Sequence, residues 1–217
     1  MLPRNRVDDL AAALAAVQAD PVFSPHVDAD RLGLVGYSAG GFTALVAAGA
    51  RPDMGRLVAF CKASPKDGVC VPQAENPEMT FERRMAAVTT PELAPWVAKS
   101  AEDRRIPNVR AVFLMAPAIV QAFEPGELAR LAVPVSVVVG EVDAIASPET
   151  NSEVIADANG EAHLQVLPSV GHYDFLAERT ALGRERVGKL CEVGADKGST
   201  HQAAIRQAKE LFDSALR

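Results

Sequence analysis

The sequence predicts an α/β protein in which a mostly parallel sheet is flanked by helices. Apolar, strand-like runs alternate with helical patterns along the 217 residues. The run at residues 133–140 is almost continuous valine, which is typical of a strand buried on both faces. A third observation is a short apolar run that turns sharply at Ser38 into an Ala-rich helix pattern. Alternating strands and helices favour parallel strands joined by right-handed crossovers.

Length and composition indicate one domain, residues 1–217, with an ordinary soluble composition of 48% hydrophobic and 23% charged residues. The net charge is −6 and basic residues form no cluster, so nucleic acid is not an expected partner. No apolar run reaches the length of a membrane span.

The first twenty residues are typical of an amphipathic helix rather than a signal peptide, because Asp8 and Asp9 interrupt the apolar stretch. A helix is predicted over residues 7–19, with an apolar face formed by Leu10, Leu14 and Val17. As written, the chain is expected in the cytoplasm. An upstream signal segment would instead direct it to the periplasm or outside the cell.

The remaining elements follow from periodicity and from Pro and Gly positions. Residues 51–107 contain seven prolines and few periodic runs, and they are interpreted as an irregular insertion with short helices that covers a pocket. A passive connector is the alternative interpretation. The predicted strands are residues 32–35, 109–115, 133–140 and 162–167, and the predicted helices after the first are residues 39–48, 126–131, 148–158 and 200–216.

Three cysteines do not make a complete disulfide framework. Cys61 and Cys70 are close enough in sequence to close a small loop, which leaves Cys191 without a partner. Buried or idle thiols are an equally good interpretation.

The segment Gly36-Tyr37-Ser38-Ala39-Gly40 lies between a predicted strand and a predicted helix, the arrangement of a nucleophile elbow. A serine in a strained turn projects its hydroxyl above the sheet, and flanking glycines leave room for close approach. The helix start also offers the Ala39 N–H to a developing oxyanion. Ser38 is therefore the candidate nucleophile, and a merely structural turn is the alternative.

A serine nucleophile needs a base, and the base needs an acid that orients it. Asp143 follows the valine-rich strand and His172 follows the last strand, so both lie where parallel strands end. The chain order Ser38, Asp143, His172 is the one expected for this arrangement. Glu141 is a rival acid, whereas Asp174 is interpreted as a solvated loop charge.

The other histidines have less suitable positions: His26 precedes the elbow strand, His163 opens a strand, and His201 lies in the closing helix. No cluster of His and Cys has the spacing of metal ligands, and no Gly-rich phosphate loop is present. The sequence therefore predicts neither a metal nor a cofactor.

With these residues in place, the chain resembles the α/β-hydrolase superfamily, and more closely the dienelactone-hydrolase-like and platelet-activating-factor-acetylhydrolase-like serine esterases. The resemblance implies an α/β-hydrolase fold with Ser38 as nucleophile, Asp143 as acid, His172 as base and Ala39 as one oxyanion donor. Members named for dienelactone hydrolysis often use cysteine, so that substrate is not implied. The segments that carry the resemblance are GLVGYSAGGFTAL, VRAVFLMAPA, PVSVVVGEVDAIASP, LPSVGHYDFL and CEVGADKGSTHQAAIRQAKELF.

One departure concerns the start of the chain. Members of these families carry several strands before the elbow, including the loop that supplies the second oxyanion N–H, whereas only about thirty residues precede Arg31. The resemblance therefore implies an N-terminally truncated fold with an open sheet edge, through which copies of the chain could pair. The predicted function is hydrolysis of a small-molecule carboxylic ester. The alternatives are a degenerate hydrolase acting as a binding protein, and an acyltransferase or peptidase of the same fold.

Overall fold

The computed structural model describes residues 3–191 and 196–217, and its centre is a parallel β-sheet. In this part of the chain the sheet has four strands, in the spatial order β1-β2-β3-β4. Each strand runs parallel to its neighbour, so every carboxyl end lies at the same edge. The strands are β1 (Leu32–Tyr37), β2 (Val109–Met115), β3 (Val135–Gly140) and β4 (His163–Leu167). This is the predicted α/β architecture.

Helices precede, connect and follow the strands. None of those in the described residues is long and apolar enough to cross a membrane. The α-helices are α1 (Pro3–Ala19), α2 (Ala39–Ala47), α3 (Met54–Ala63), α4 (Phe81–Val88), α5 (Ala94–Ala98), α6 (Pro125–Ala129), α7 (Ser152–Ala158), α8 (Ala181–Cys191) and α9 (Lys197–Ala215).

The core consists of two apolar layers, one on each face of the sheet. On one face, α2 buries Phe42 and Leu45 against side chains of β2 and β3. On the other face, α9 packs Ala203 and Ala204 against Phe113. β3 lies between the two layers and is buried at every position, which confirms the interpretation of its valine run.

β1 lies at the edge of the sheet and pairs with β2 alone among the described strands. The two faces of this apolar strand are covered unequally. Leu34 packs into the layer formed with α2, but the side chain of Val35 is 57% exposed on the opposite face. The aromatic ring of Phe212 from α9 lies close to Gly33 on that face.

The apolar face predicted for α1 is wrong for two of its three residues. Val7 is buried and Leu14 packs against the core, whereas Leu10 and Val17 are each 38% exposed. Because α1 contacts α2 near the edge of the molecule, only a narrow stripe of its surface is covered. Helical spacing identifies a helix, but it does not show how wide a face the neighbouring elements bury.

Residues 51–107 contain the short helices α3, α4 and α5, in agreement with the short helices predicted there. Two of these helices start with side-chain caps: Asp53 accepts a hydrogen bond from the Gly55 N–H, and Thr80 accepts one from the Arg83 N–H. In contrast, the helix predicted over residues 148–158 begins as a 3-10 turn, Pro148–Thr150, before α7.

The structure resolves the open question about Cys61 and Cys70, which form a disulfide. The bond joins the last turn of α3 to the loop that follows it. The side chain of Cys191 lies outside the described part of the chain.

We expect the Cys61→Ala/Cys70→Ala double variant to lose about 2–3 kcal/mol of the free energy of unfolding, because the bond closes a short loop in the unfolded chain. Urea denaturation in the absence of reductant measures the loss. As a control, dithiothreitol should destabilise the wild type by a similar amount and leave the double variant unchanged. Equal stability of the two oxidised proteins would contradict the expectation.

Candidate active site

The nucleophile elbow forms where β1 ends at Tyr37 and α2 begins at Ala39. Between them, Ser38 has φ 53° and ψ −124°, a backbone conformation that residues other than glycine adopt only under strain. The turn is tight enough that a Cβ on Gly36 would lie 2.7 Å from the Gly41 N atom. Glycine at position 36 is therefore required by the close approach of strand and helix.

The two glycines after the serine have different surroundings. A Cβ on Gly40 would have no atom of the described chain within 4 Å, so this glycine is not required by contacts within the chain. A Cβ on Gly41 would lie 2.8 Å from the Cβ of Pro117, in the loop after β2. Gly41 therefore allows α2 to pack closely against this loop. Sequence reasoning did not single it out, although the Gly-Gly pair was visible.

Asp143 lies in the turn that follows β3 and is buried. Its Oδ1 atom accepts hydrogen bonds from the Ile145 N–H at 2.9 Å and from the Ala146 N–H at 2.7 Å. These two donors hold the carboxylate in one orientation and leave Oδ2 directed away from its own loop.

His172 follows β4 and begins a short 3-10 turn, His172–Phe175. Its Nδ1 atom lies 2.7 Å from Asp143 Oδ2, and its Nε2 atom lies 2.9 Å from Ser38 Oγ. The structure thus brings the three predicted side chains into one hydrogen-bonded chain. An Nδ1–H that donates to the carboxylate leaves Nε2 free to accept the serine proton.

The rival acids lie elsewhere in the same region. Glu141 is exposed, and its Oε2 accepts a hydrogen bond from the Ser169 N–H at 3.1 Å. The interpretation of Asp174 as a solvated charge is wrong, because its side chain is fully buried. Its Oδ2 atom accepts the Gly171 N–H at 2.8 Å, so it caps the turn that carries His172.

The remaining histidines also have other neighbours. His163 Nδ1 lies 3.1 Å from the side-chain amide of Gln207, and His201 Nε2 lies 3.2 Å from the carbonyl oxygen of Leu176. His26 is exposed in the 3-10 turn before β1.

Two side chains that the sequence analysis did not assign support the turn that carries His172. The Tyr37 hydroxyl donates to the His172 carbonyl oxygen at 2.9 Å, and the two rings pack with their centres 5.1 Å apart. The Lys197 ammonium donates to the carbonyl oxygens of Tyr173 and Leu176 at 3.0 and 3.4 Å. Tyr37 could have been noticed as the residue next to the serine, whereas no sequence signal marks Lys197.

A cavity of about 320 Å³ opens beside Ser38, Ala39 and His172. The backbone N–H groups in the first turn of a helix have no partner within the helix, and Ala39 is the first residue of α2. Side chains from residues 51–107 complete the wall of the cavity, and they are Val69, Gln73, Glu75 and Arg84.

Arg84 is the cationic group in this wall. Its guanidinium donates hydrogen bonds to the carbonyl oxygens of Val69 and Cys70. Burial lowers the pKa of Arg84 from its ordinary value, but a guanidinium remains charged at neutral pH. Across the cavity wall, the Tyr173 hydroxyl contacts the Glu75 carboxylate, which joins the insertion to the loop of His172. Within residues 3–191 and 196–217, no group of three His, Cys, Asp or Glu side chains is placed to hold a metal ion.

Residues 1–60 match the prolyl oligopeptidase family. The matched stretch includes the elbow and Ser38 but ends before Asp143 and His172. This match, the parallel sheet and the strand–elbow–helix segment support an α/β-hydrolase fold for the chain. The finer resemblance to dienelactone-hydrolase-like and acetylhydrolase-like esterases stays a prediction. No curated protein sequence matches the chain.

Solved structures superpose on the chain only in part. BpoC from Mycobacterium tuberculosis H37Rv is 17% identical with a TM-score of 0.44, covering 97% of this chain and 75% of BpoC. Rv0554 from Mycobacterium tuberculosis is 17% identical with a TM-score of 0.42, and the match covers 96% of this chain and 73% of Rv0554. Acetyl xylan esterase 1 from a Thermoanaerobacterium species is 16% identical with a TM-score of 0.37, covering 87% of this chain and 52% of the esterase.

We expect Tyr37→Phe to lower the free energy of unfolding by about 0.5–1.5 kcal/mol, because the half-buried hydroxyl loses its bond to the His172 carbonyl. Chemical denaturation measures the difference. Tyr173→Phe is the matched control: its hydroxyl contacts Glu75 at the surface, where water replaces the lost bond. A larger loss in Tyr173→Phe than in Tyr37→Phe would contradict the expectation.

Proposed function

We propose that the protein is a serine hydrolase that cleaves a small-molecule carboxylic ester through an acyl-enzyme. The observation that carries the proposal is the hydrogen-bonded chain from Asp143 through His172 to Ser38 at the mouth of a cavity. A serine hydroxyl at neutral pH is a weak nucleophile, and this chain supplies the base and the orienting carboxylate that activate it.

In the proposed mechanism, Ser38 Oγ attacks the ester carbonyl while His172 Nε2 takes its proton. The imidazolium then gives that proton to the departing alkoxide, which leaves as the alcohol. His172 next takes a proton from water, whose oxygen attacks the acyl-enzyme carbonyl. When the bond to Ser38 Oγ breaks, the imidazolium returns the proton to Oγ, which restores Ser38 and releases the carboxylic acid. Asp143 keeps the imidazole oriented and stabilises its charged form, and the Ala39 N–H stabilises the oxyanion.

Residues 51–107 take part in this proposal as a cap over the acyl-binding cavity. Four side chains from this region line the cavity next to the serine. The wall is mixed in character, because Val69 is apolar while Gln73, Glu75 and Arg84 are polar or charged.

The central experiment is labelling with a fluorophosphonate, which reacts with activated serines. We expect wild-type protein and the matched control Ser24→Ala to be labelled, and Ser38→Ala to remain unlabelled. Labelling that persists in Ser38→Ala would overturn the assignment of the nucleophile. If neither the wild type nor the Ser24→Ala control is labelled, a degenerate hydrolase that acts as a binding protein becomes the better interpretation.

A peptidase is the second candidate, because residues 1–60 match the prolyl oligopeptidase family. The same wild-type and Ser38→Ala proteins can be assayed on short p-nitrophenyl esters and on p-nitroanilides of small peptides. Ser38-dependent release from the esters supports the esterase. Release confined to the anilides would favour the peptidase, and product transfer to an added alcohol would favour an acyltransferase.

We also propose that two copies of the chain pair through β1. This strand pairs with β2 alone among the described strands, so its other edge faces no described strand, and Val35 on it is exposed. Another extended strand is the partner that such an edge accepts.

Light scattering tests the pairing through β1. We expect wild-type protein to be dimeric or larger and Val35→Lys to be monomeric, because a charged residue on an edge strand opposes pairing. Val22→Lys is the matched control, since Val22 is exposed in the turn after α1 rather than on the strand. A wild-type protein that is monomeric at the concentration used for the two variants would refute the proposal.

A further inference from the structure

The loop of residues 67–70, here called the bracing loop, lies against the turn that carries Asp143. The contact is between backbones. A Cβ on Gly68 would fall on the carbonyl oxygen of Ala144 and would lie 2.6 Å from that of Ile145. The Cα of Ile145 would also be only 2.7 Å away. The two chain segments meet so closely that only glycine fits at position 68.

Side chains on both sides of Gly68 extend this contact. The Thr150 hydroxyl donates to Asp67 Oδ2 at 2.9 Å, while Asp67 Oδ1 accepts the Val69 N–H at 2.9 Å. Val69 is buried in a small apolar cluster with Ala118 and Ala146. The bracing loop therefore contacts the region after β3 at several successive positions.

The bracing loop is itself held from three directions. Cys70 is bonded through the disulfide to Cys61 in α3. The guanidinium of Arg84 in α4 donates to the carbonyl oxygens of Val69 and Cys70. The side-chain amide of Gln73 donates to the Gly68 carbonyl oxygen at 2.8 Å. These bonds connect the loop to two helices of the insertion.

The contact matters because of what it touches. The N–H groups of Ile145 and Ala146 are the donors that orient the carboxylate of Asp143. Ile145 lies against Gly68, and Ala146 packs with Val69. A shift of the bracing loop would therefore move both donors, and with them the Asp143 oxygen that is 2.7 Å from His172.

We propose that the bracing loop positions the acid of the triad, with Gly68 and the Asp67–Thr150 bond as its positioning groups. This inference rests on the proposed function, because it assigns to the insertion a role in aligning Asp143 with His172. The insertion then has two roles, since the same segment lines the cavity and supports the acid. Asp67, Gly68 and Thr150 are not among the residues that line the cavity beside Ser38.

The first test compares Gly68→Ala with Gly160→Ala, whose Cβ would have no atom of the described chain within 4 Å. On a p-nitrophenyl ester, we expect Gly68→Ala to lower kcat by roughly 10–100-fold, since small displacements of catalytic groups are costly. Gly160→Ala should match the wild type.

A second readout does not depend on turnover. We expect the proton shared by His172 Nδ1 and Asp143 to give a low-field resonance in proton NMR spectra, because the two heavy atoms are 2.7 Å apart. We expect this resonance to shift or broaden in Gly68→Ala and to stay unchanged in Gly160→Ala. A folded Gly68→Ala protein with a wild-type resonance and wild-type kcat would overturn the inference.

The Thr150 variants cover the case in which Gly68→Ala does not fold. Thr150→Val removes the hydroxyl that donates to Asp67 and accepts from the side-chain amide of Asn151, whereas Thr150→Ser keeps it. We expect Thr150→Val to lower kcat several-fold and to perturb the low-field resonance, and Thr150→Ser to restore both. Equal behaviour of the two variants would overturn the inference.

The two proposals fail in different ways. If wild-type protein shows no Ser38-dependent turnover or labelling, the proposed function fails, and the resonance alone decides whether the bracing loop aligns Asp143 with His172. If wild-type protein is active and the Gly68 and Thr150 variants match their controls, only the inference about the bracing loop fails.

Discussion

The hydrogen bond between Asp143 and His172 determines how the rest of this site is arranged. It is 2.7 Å long and lies between two buried side chains, where a carboxylate without a partner would be costly. Because the carboxylate accepts from Nδ1, the other ring nitrogen is the one that faces Ser38. β3 and β4 are parallel neighbours, so the loops at their carboxyl ends bring the two residues together without a long excursion of the chain.

The support around this bond comes from several parts of the chain. Tyr37 holds the backbone of His172 from the elbow, and Lys197 holds the following turn from the last helix. On the Asp143 side, the contact of Gly68 with Ala144 comes from the insertion. Residues 51–107 are thus more than a wall of the cavity. Their disulfide ties the bracing loop to α3, in a region whose own apolar cluster is small.

The strained and the exposed parts of the molecule are adjacent. Ser38 stands in a conformation that the surrounding contacts must enforce, and the strand that delivers it lies at the edge of the sheet. On the covered face, Leu34 packs into the core and anchors this strand. On the other face, Val35 is open to solvent. The elbow therefore depends on helix packing and on pairing with β2 alone among the described strands.

Sequence alone determined the α/β class, the elbow at Ser38 and the candidates Asp143 and His172, because strand periodicity and loops after strands are local properties. It could not determine that Asp174 is buried, that Val35 is exposed, or that Gly68 touches Ala144. Each of these depends on which distant segments become neighbours. A pattern along the chain records the side chain that is available for burial, whereas only the tertiary structure decides what covers it.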